Sequence, residues 1–151
     1  MKKIALFLLV IGSMFLLTGC GEKNIEGSLE DLMDKVYLNI KEEDKPMMLS
    51  NIEVNNDNKE GFLGSPDIEF EEALASESMV GSIAHSVVLI RAKKGQDVEK
   101  LKTEIKQNAD PRKWICVGVE DVVVESKGDL VILIMSDNLG ETILENFNNL
   151  K

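Results

Sequence analysis

A chain of 151 residues with 17 basic and 27 acidic side chains carries a net charge of −10. That balance excludes the clustered Lys and Arg that nucleic-acid binding requires and disfavours adhesion of the folded part to anionic lipid. With only two cysteines, a disulfide-stapled scaffold is excluded as well.

Residues 1–19 read as a secretory signal. Lys2 and Lys3 give a basic start, and the apolar run from Ile4 to Leu17 is shorter than the roughly 20 helical residues that cross a bilayer. The stretch Leu17-Thr18-Gly19-Cys20 that closes it resembles the bacterial lipobox. This resemblance implies that the Cys20 thiol receives a diacylglyceryl group and that the chain is cut just before it. Two acyl chains anchor stably where one is marginal, each buried methylene contributing about 0.8 kcal/mol. The expected partner is thus the cell membrane, through the lipid on Cys20, with the domain on the extracytoplasmic face because the basic start stays inside. Removing residues 1–19 takes Lys2 and Lys3 away, which leaves 15 basic against 27 acidic residues, a net charge of −12 on 132 residues. One domain, 28–151, is expected for that length, preceded by the lipidated cysteine and a short tether, 20–27.

Ser28 opens a helix signal, with Asp31 three residues on in a capping-box position. Leu29, Leu32, Met33, Val36, Tyr37 and Ile40 follow at helical spacing and predict an amphipathic helix over 28–40, ending by Glu43 ahead of Pro46. Its acidic polar face favours docking on the domain over lying in a membrane interface. Residues 46–64 predict an irregular connection, with the Asn55-Asn56-Asp57-Asn58 cluster as a turn and one helical turn near Glu60 to Leu63. Over 65–77 two readings stand: a helix capped by Ser65-Pro66-Asp67, or an edge strand in which Ile68, Phe70 and Leu74 alternate with polar and small residues. The strand is preferred, because Gly81-Ser82 then turns into a strong strand over 83–93, apolar on both faces at Val87 to Ile90.

Val98, Leu101 and Ile105 change the period and predict a helix over 96–109, stopped by Asp110-Pro111. Trp114 to Glu125 and Leu130 to Met135 read as a hairpin about Lys127-Gly128, and 140–150 as a closing helix. The order β-β-α-β-β-α predicts an α+β fold of permuted ferredoxin-like type, a four-stranded antiparallel or mixed sheet in the order first, second, fourth, third. Both later helices are expected on one face. The other face is left for the helix at 28–40, or for a second copy or partner.

Catalytic sets are not found. His85 is the single histidine, and its neighbour Ser86 points to the opposite face of the same strand, so the two do not pair as base and nucleophile. A structural role or a partly exposed strand position is expected for His85. No metal site or cofactor is expected: one His and one free Cys fall short of a zinc set, and Asn55 to Glu60 lack the pattern of a calcium loop. Cys116 is either a buried apolar residue, an intermolecular bridge or a reactive thiol; burial is favoured by the strand-like Ile115, Val117 and Val119 around it. Arg112, Lys113 and Trp114 form the most distinctive interior group. They offer a contact for an anionic ligand or a partner's carboxylate, or else serve to pack and cap the preceding helix.

The runs Ser82 to Lys93 (SIAHSVVLIRAK), Asp110 to Val117 (DPRKWICV) and Gly128 to Met135 (GDLVILIM), behind a lipobox, resemble small uncharacterised lipoproteins of Gram-positive anaerobes, of domain-of-unknown-function type. The resemblance spans roughly 28–151 and implies no activity or functional residue. A non-enzymatic lipoprotein that binds an exported protein or itself is therefore expected, with small-ligand binding through Arg112, Lys113 and Trp114 as the alternative.

Overall fold

The computed structural model describes residues 23–151; the signal, Cys20 and the first part of the tether lie outside them. Ser28 is extended and its hydroxyl oxygen accepts from the Asp31 amide at 3.2 Å, starting helix α1, Leu29–Val36. Leu29, Leu32, Met33 and Val36 form its buried stripe. The helix is shorter than expected because Asn39 takes a left-handed φ of 64°, a conformation that ends helices. A single 3-10 turn, Glu42–Asp44, follows before Pro46.

Strand β1, Leu49–Val54, stands where an irregular connection was expected. Asn58 then precedes the short helix α2, Lys59–Leu63, the helical turn that was expected there. Gly64 ends it at φ +83°, and a Cβ there would lie 1.8 Å from the Asn108 carbonyl oxygen, so only glycine allows this approach. Strand β2 is Glu72–Ser78, the second part of the 65–77 stretch. Ile68 is buried in a loop instead of a pleat, its carbonyl accepting from the Lys59 ammonium at 2.9 Å.

Strand β3, Ser86–Arg91, helix α3, Val98–Asn108, strand β4, Val123–Lys127, and strand β5, Leu130–Met135, complete the sheet before helix α4, Gly140–Asn148. Asp97 caps α3 through the Lys100 amide. The expected strand from Trp114 is confined to β4. Residues 110–119 close on themselves instead, through the Val119 amide donating to the Pro111 carbonyl at 3.0 Å.

All neighbouring strands are antiparallel in the order β1-β2-β3-β5-β4. The fold is α+β with a five-stranded open sheet; the expected order of four strands is present, with β1 added outside β2. Val87, Leu89, Leu130, Ile132 and Ile134 face one side with α1 and α4, while Val88, Ile90, Val131, Leu133 and Met135 face the other with α2 and α3. The expectation that both later helices share a face, as in a two-layer ferredoxin-like arrangement, is therefore corrected. Crossover handedness constrains α3, which lies between the parallel strands β3 and β4. Helix α4 packs instead beside α1 over the second face. Asn146 of α4 fastens that pair, donating to the Val36 and Leu38 carbonyls at 2.9 Å each.

Arg91 fixes where the chain enters the domain. Its guanidinium donates to the Ile25 and Gly27 carbonyls at 2.8 Å each and pairs with Glu72 at 2.8 Å and Asp129 at 3.5 Å. At the β4–β5 turn, Gly128 has φ +60° and lies so close to the entering chain that a Cβ would sit 2.6 Å from the Lys23 oxygen.

If α1 is an integral layer, Leu32→Ala removes a fully buried side chain and lowers the unfolding free energy in urea by about 2–5 kcal/mol. A loss under about 1 kcal/mol would mean that α1 is loosely attached.

Candidate functional site

The loop after α3 starts with an Asp turn: the Asp110 carboxylate accepts from the Arg112 amide at 2.8 Å. From there the three residues singled out in the sequence separate. The Lys113 ammonium turns inward, 2.8 Å from a Glu77 carboxylate oxygen, 3.3 Å from the Ser86 hydroxyl and 3.4 Å from the Gly61 carbonyl. It also stands 4.8 Å from the Phe62 ring centre and 5.4 Å from that of Trp114, within cation–π range. Burial pulls its pKa below the ordinary lysine range, and Glu77 opposes that shift. Arg112 is exposed and lines a neighbouring hollow with Trp114, Cys116 and 117–120. Trp114 thus borders both hollows, with Lys113 on one side of it and Arg112 on the other, and the two cations do not converge.

That site is an open groove of about 790 Å³ on the α2 side of the sheet, above the end of β1 and β2. Ile52, Phe62, Met79, Trp114 and Ile115 give it apolar walls, and Asp57 and Glu60 are its acidic residues beside the paired Glu77 and Lys113. Met79 and Ile115 are 58% and 72% exposed, unusual for side chains of that size. The Ile115 amide donates to the Gly81 carbonyl at 2.9 Å and the Met79 amide to the Met48 carbonyl at 3.1 Å, so the groove joins the exposed Met48. The Trp114 indole nitrogen is buried with no acceptor among the described residues; its ring is held by Lys113 and by contact. Sequence reasoning missed Phe62, Glu77 and Met79, whose places depend on distant partners: Lys113 lies 36 positions from Glu77 and 51 from Phe62, and Met48 lies 31 from Met79.

Cys116 is exposed, with φ +62°, so the expectation of a buried strand residue is corrected. The alternation around it is not a pleat, since 110–119 is a closed loop. His85 is 1% exposed. Its Nε2 lies 2.6 Å from the Tyr37 hydroxyl and its Nδ1 2.8 Å from the Ser136 hydroxyl. Ser86 points elsewhere, toward Glu77 and Lys113. Burial holds the Tyr37 phenol protonated, and Ser76 hydrogen-bonds it as well. Assigning Ser76 as donor to Tyr37, Tyr37 to Nε2 and Nδ1–H to Ser136 satisfies the whole chain with a neutral ring. In that assignment the imidazole lone pair is occupied by Tyr37, so His85 cannot take a proton from Ser136. The chain ties the end of α1 to the start of β3 and the end of β5.

Among the described residues, no group of three or more His, Cys, Asp or Glu is placed to hold a metal ion, and no helix is long and apolar enough to cross a membrane. No family model, curated protein or solved structure matches the chain.

Burial lowers the His85 pKa from 6.5 to about 4. Between those values the unfolded chain takes up a proton that the folded ring refuses, so stability falls as pH drops from 6.5 to 4. The loss reaches about 3 kcal/mol and then levels off, at 1.36 kcal/mol per pKa unit. His85→Gln should remove that component from urea-denaturation curves measured against pH. Parallel curves for the two proteins would show that the ring is not held neutral.

Proposed function

We propose that this protein is a lipid-anchored, extracytoplasmic lipoprotein of the cell membrane whose domain is a non-enzymatic module that binds another polypeptide. The observation that carries the interaction reading is the exposed apolar pair Met79 and Ile115 in the groove at the end of the sheet opposite the chain entry, with the exposed Met48 next to it along the backbone. Strand β3 measures this separation: Arg91, at its last residue, grips Ile25 and Gly27, while Ser86, at its first, pairs with Glu77 beside the groove. Six residues of strand span about 20 Å. A lipid on Cys20, three residues before Lys23, would hold the entry end within roughly 10 Å of the bilayer and turn the groove outward.

The resemblance of 17–20 to a lipobox supports the anchor, and the net charge of −12 left once residues 1–19 are removed supports a domain that stands off from anionic lipid. Ligand binding through Arg112, Lys113 and Trp114 is weaker, because Lys113 already has Glu77 as counter-ion and Arg112 lies apart. In the pattern of strands, β5 between β3 and β4 supports reading that half of the sheet as a split βαβ unit of ferredoxin-like kind; architecture by itself assigns no function.

Expressed in a Gram-positive host, the full chain should incorporate an alkyne-tagged palmitate and sediment with membranes. Cys20→Ser should lose both label and sedimentation. Retention of the mutant in the membrane fraction would overturn the anchor.

A further inference from the structure

We propose that the groove between α2 and residues 113–115 docks a basic polypeptide segment of a partner protein, one that inserts an aliphatic side chain between Met79, Trp114 and Ile115. This rests on the interaction reading above and supplies its surface and partner class.

The groove exists because the covers on this face are unequal. Helix α3 has 11 residues and packs over β4 and β5, whereas α2 has five. The end of β1 and β2 beyond α2 is bordered by the 110–119 loop and by the turn at Met79 and Gly81, with no helix over it. Phe62 and Trp114 are left half-buried there, and Met79 and Ile115 exposed. An apolar hollow of this size with two large exposed side chains is the geometry of an anchor pocket.

Charge selects the occupant. Lys113 neutralises Glu77 inside the wall at 2.8 Å, so the rim carries the uncompensated carboxylates Asp57 and Glu60 in a chain that is acidic overall. A second copy docked symmetrically would set Asp57 and Glu60 against the same acidic rim. An anionic bilayer is repelled by the same charges, and the groove stands at the opposite end of β3 from the chain entry. A partner segment with Lys or Arg beside an aliphatic residue meets both features, with electrostatics setting orientation and the apolar contact supplying residence.

Trp114 is the single tryptophan and borders both the groove and the Arg112 hollow, so its emission reports binding and the groove variants assign it. The lipidated full-length protein, in phosphatidylcholine nanodiscs, is titrated with three tryptophan-free nonapeptides containing Leu and Lys, Ser and Lys, or Leu and Glu. The Leu/Lys peptide should shift Trp114 emission saturably, and the other two should not. Ile115→Ser, and separately Asp57→Asn with Glu60→Gln, should each weaken that binding at least fivefold without moving the thermal midpoint, since all three side chains are exposed. An equal response to the Ser/Lys peptide, or an unchanged affinity in Ile115→Ser, overturns the proposal. So does a dimer in sedimentation equilibrium that Ile115→Ser dissociates, which would make a second copy the occupant. An emission shift with phosphatidylglycerol vesicles alone would assign the groove to the bilayer, with the same consequence. Silence in the groove, with Cys20 still labelled and a partner still cross-linked to another face, would sink this docking site and leave the anchored interaction module standing.

Discussion

The pairing of β3 with β5 is the constraint on which the rest of the molecule depends. All six residues of β5 and the first five of β3 are buried, with apolar side chains on both faces. Antiparallel pairing from Ser86↔Met135 to Arg91↔Leu130 puts those faces in register, so each presents a continuous apolar strip that water would penalise by about 25 cal/mol per Å² left exposed. Neither face can remain open. The three layers follow: α1 and α4 on one side, α2, α3 and the 110–119 loop on the other. The first side closes fully, because α1 and α4 are joined by Asn146, and Lys127 holds the end of α4 through the Asn148 and Leu150 carbonyls. The second side is short of helix over β1 and β2, and the groove is what remains.

Much of this was legible locally. Ser28 and the Leu29-Leu32-Met33-Val36 stripe announce α1, Leu101 and Ile105 announce α3, and Lys127-Gly128 marks the turn before β5. The doubly apolar β3 and β5 identify themselves as central strands, from which the order β2-β3-β5-β4 follows. Less legible was β1, an edge strand whose Ser50, Asn51 and Glu53 hide its apolar face; its place is set by register with β2, Ile52 opposite Ala75 and Val54 opposite Ala73. Ile68 and Phe70 imitate a strand because a buried loop also needs apolar contacts, here fastened by the Lys59 ammonium and the Gln96 amide, which donates to the Glu69 carbonyl at 2.7 Å. Period-two alternation around Cys116 misleads for a similar reason. Gly118 passes so close to Pro111 that a Cβ would lie 2.6 Å from its oxygen, and the loop closes before a strand can form.

At the candidate site, residue types were legible and partners were not. Lys113 beside Trp114 looks like a free cation in sequence, yet its counter-ion is 36 positions away on β2. His85 lacks a local serine partner and finds Ser136, 51 positions on, at the end of β5. The β3–β5 register brings His85 and Ser136 together, whereas Lys113 reaches Glu77 because the 110–119 loop folds over the end of β2. Local charge patterns predict which chemistry a loop can offer, but the tertiary fold decides whether that charge is available to a ligand or consumed inside it.

The same register gives the domain a direction. Arg91 and Ser86 are the two ends of one strand, and they serve opposite tasks: one collects the entering chain and the other, through Glu77 and Lys113, steadies the groove wall. Between them lie only residues buried on both faces, so the strand cannot bend or slip without exposing core; a one-residue slip would exchange its two apolar faces. An anchor at the chain entry would consequently be held at a fixed distance from the groove by a central strand buried on both faces. With such an anchor the acidic surface would act in the same sense, since repulsion from anionic headgroups within a Debye length of about 8 Å would discourage the domain from lying down. A flexible tether would ordinarily let a small domain present any face to its membrane. Here, on the proposed anchoring at Cys20, strand geometry and charge together favour the one orientation in which Met79 and Ile115 face away from lipid and toward whatever arrives from outside.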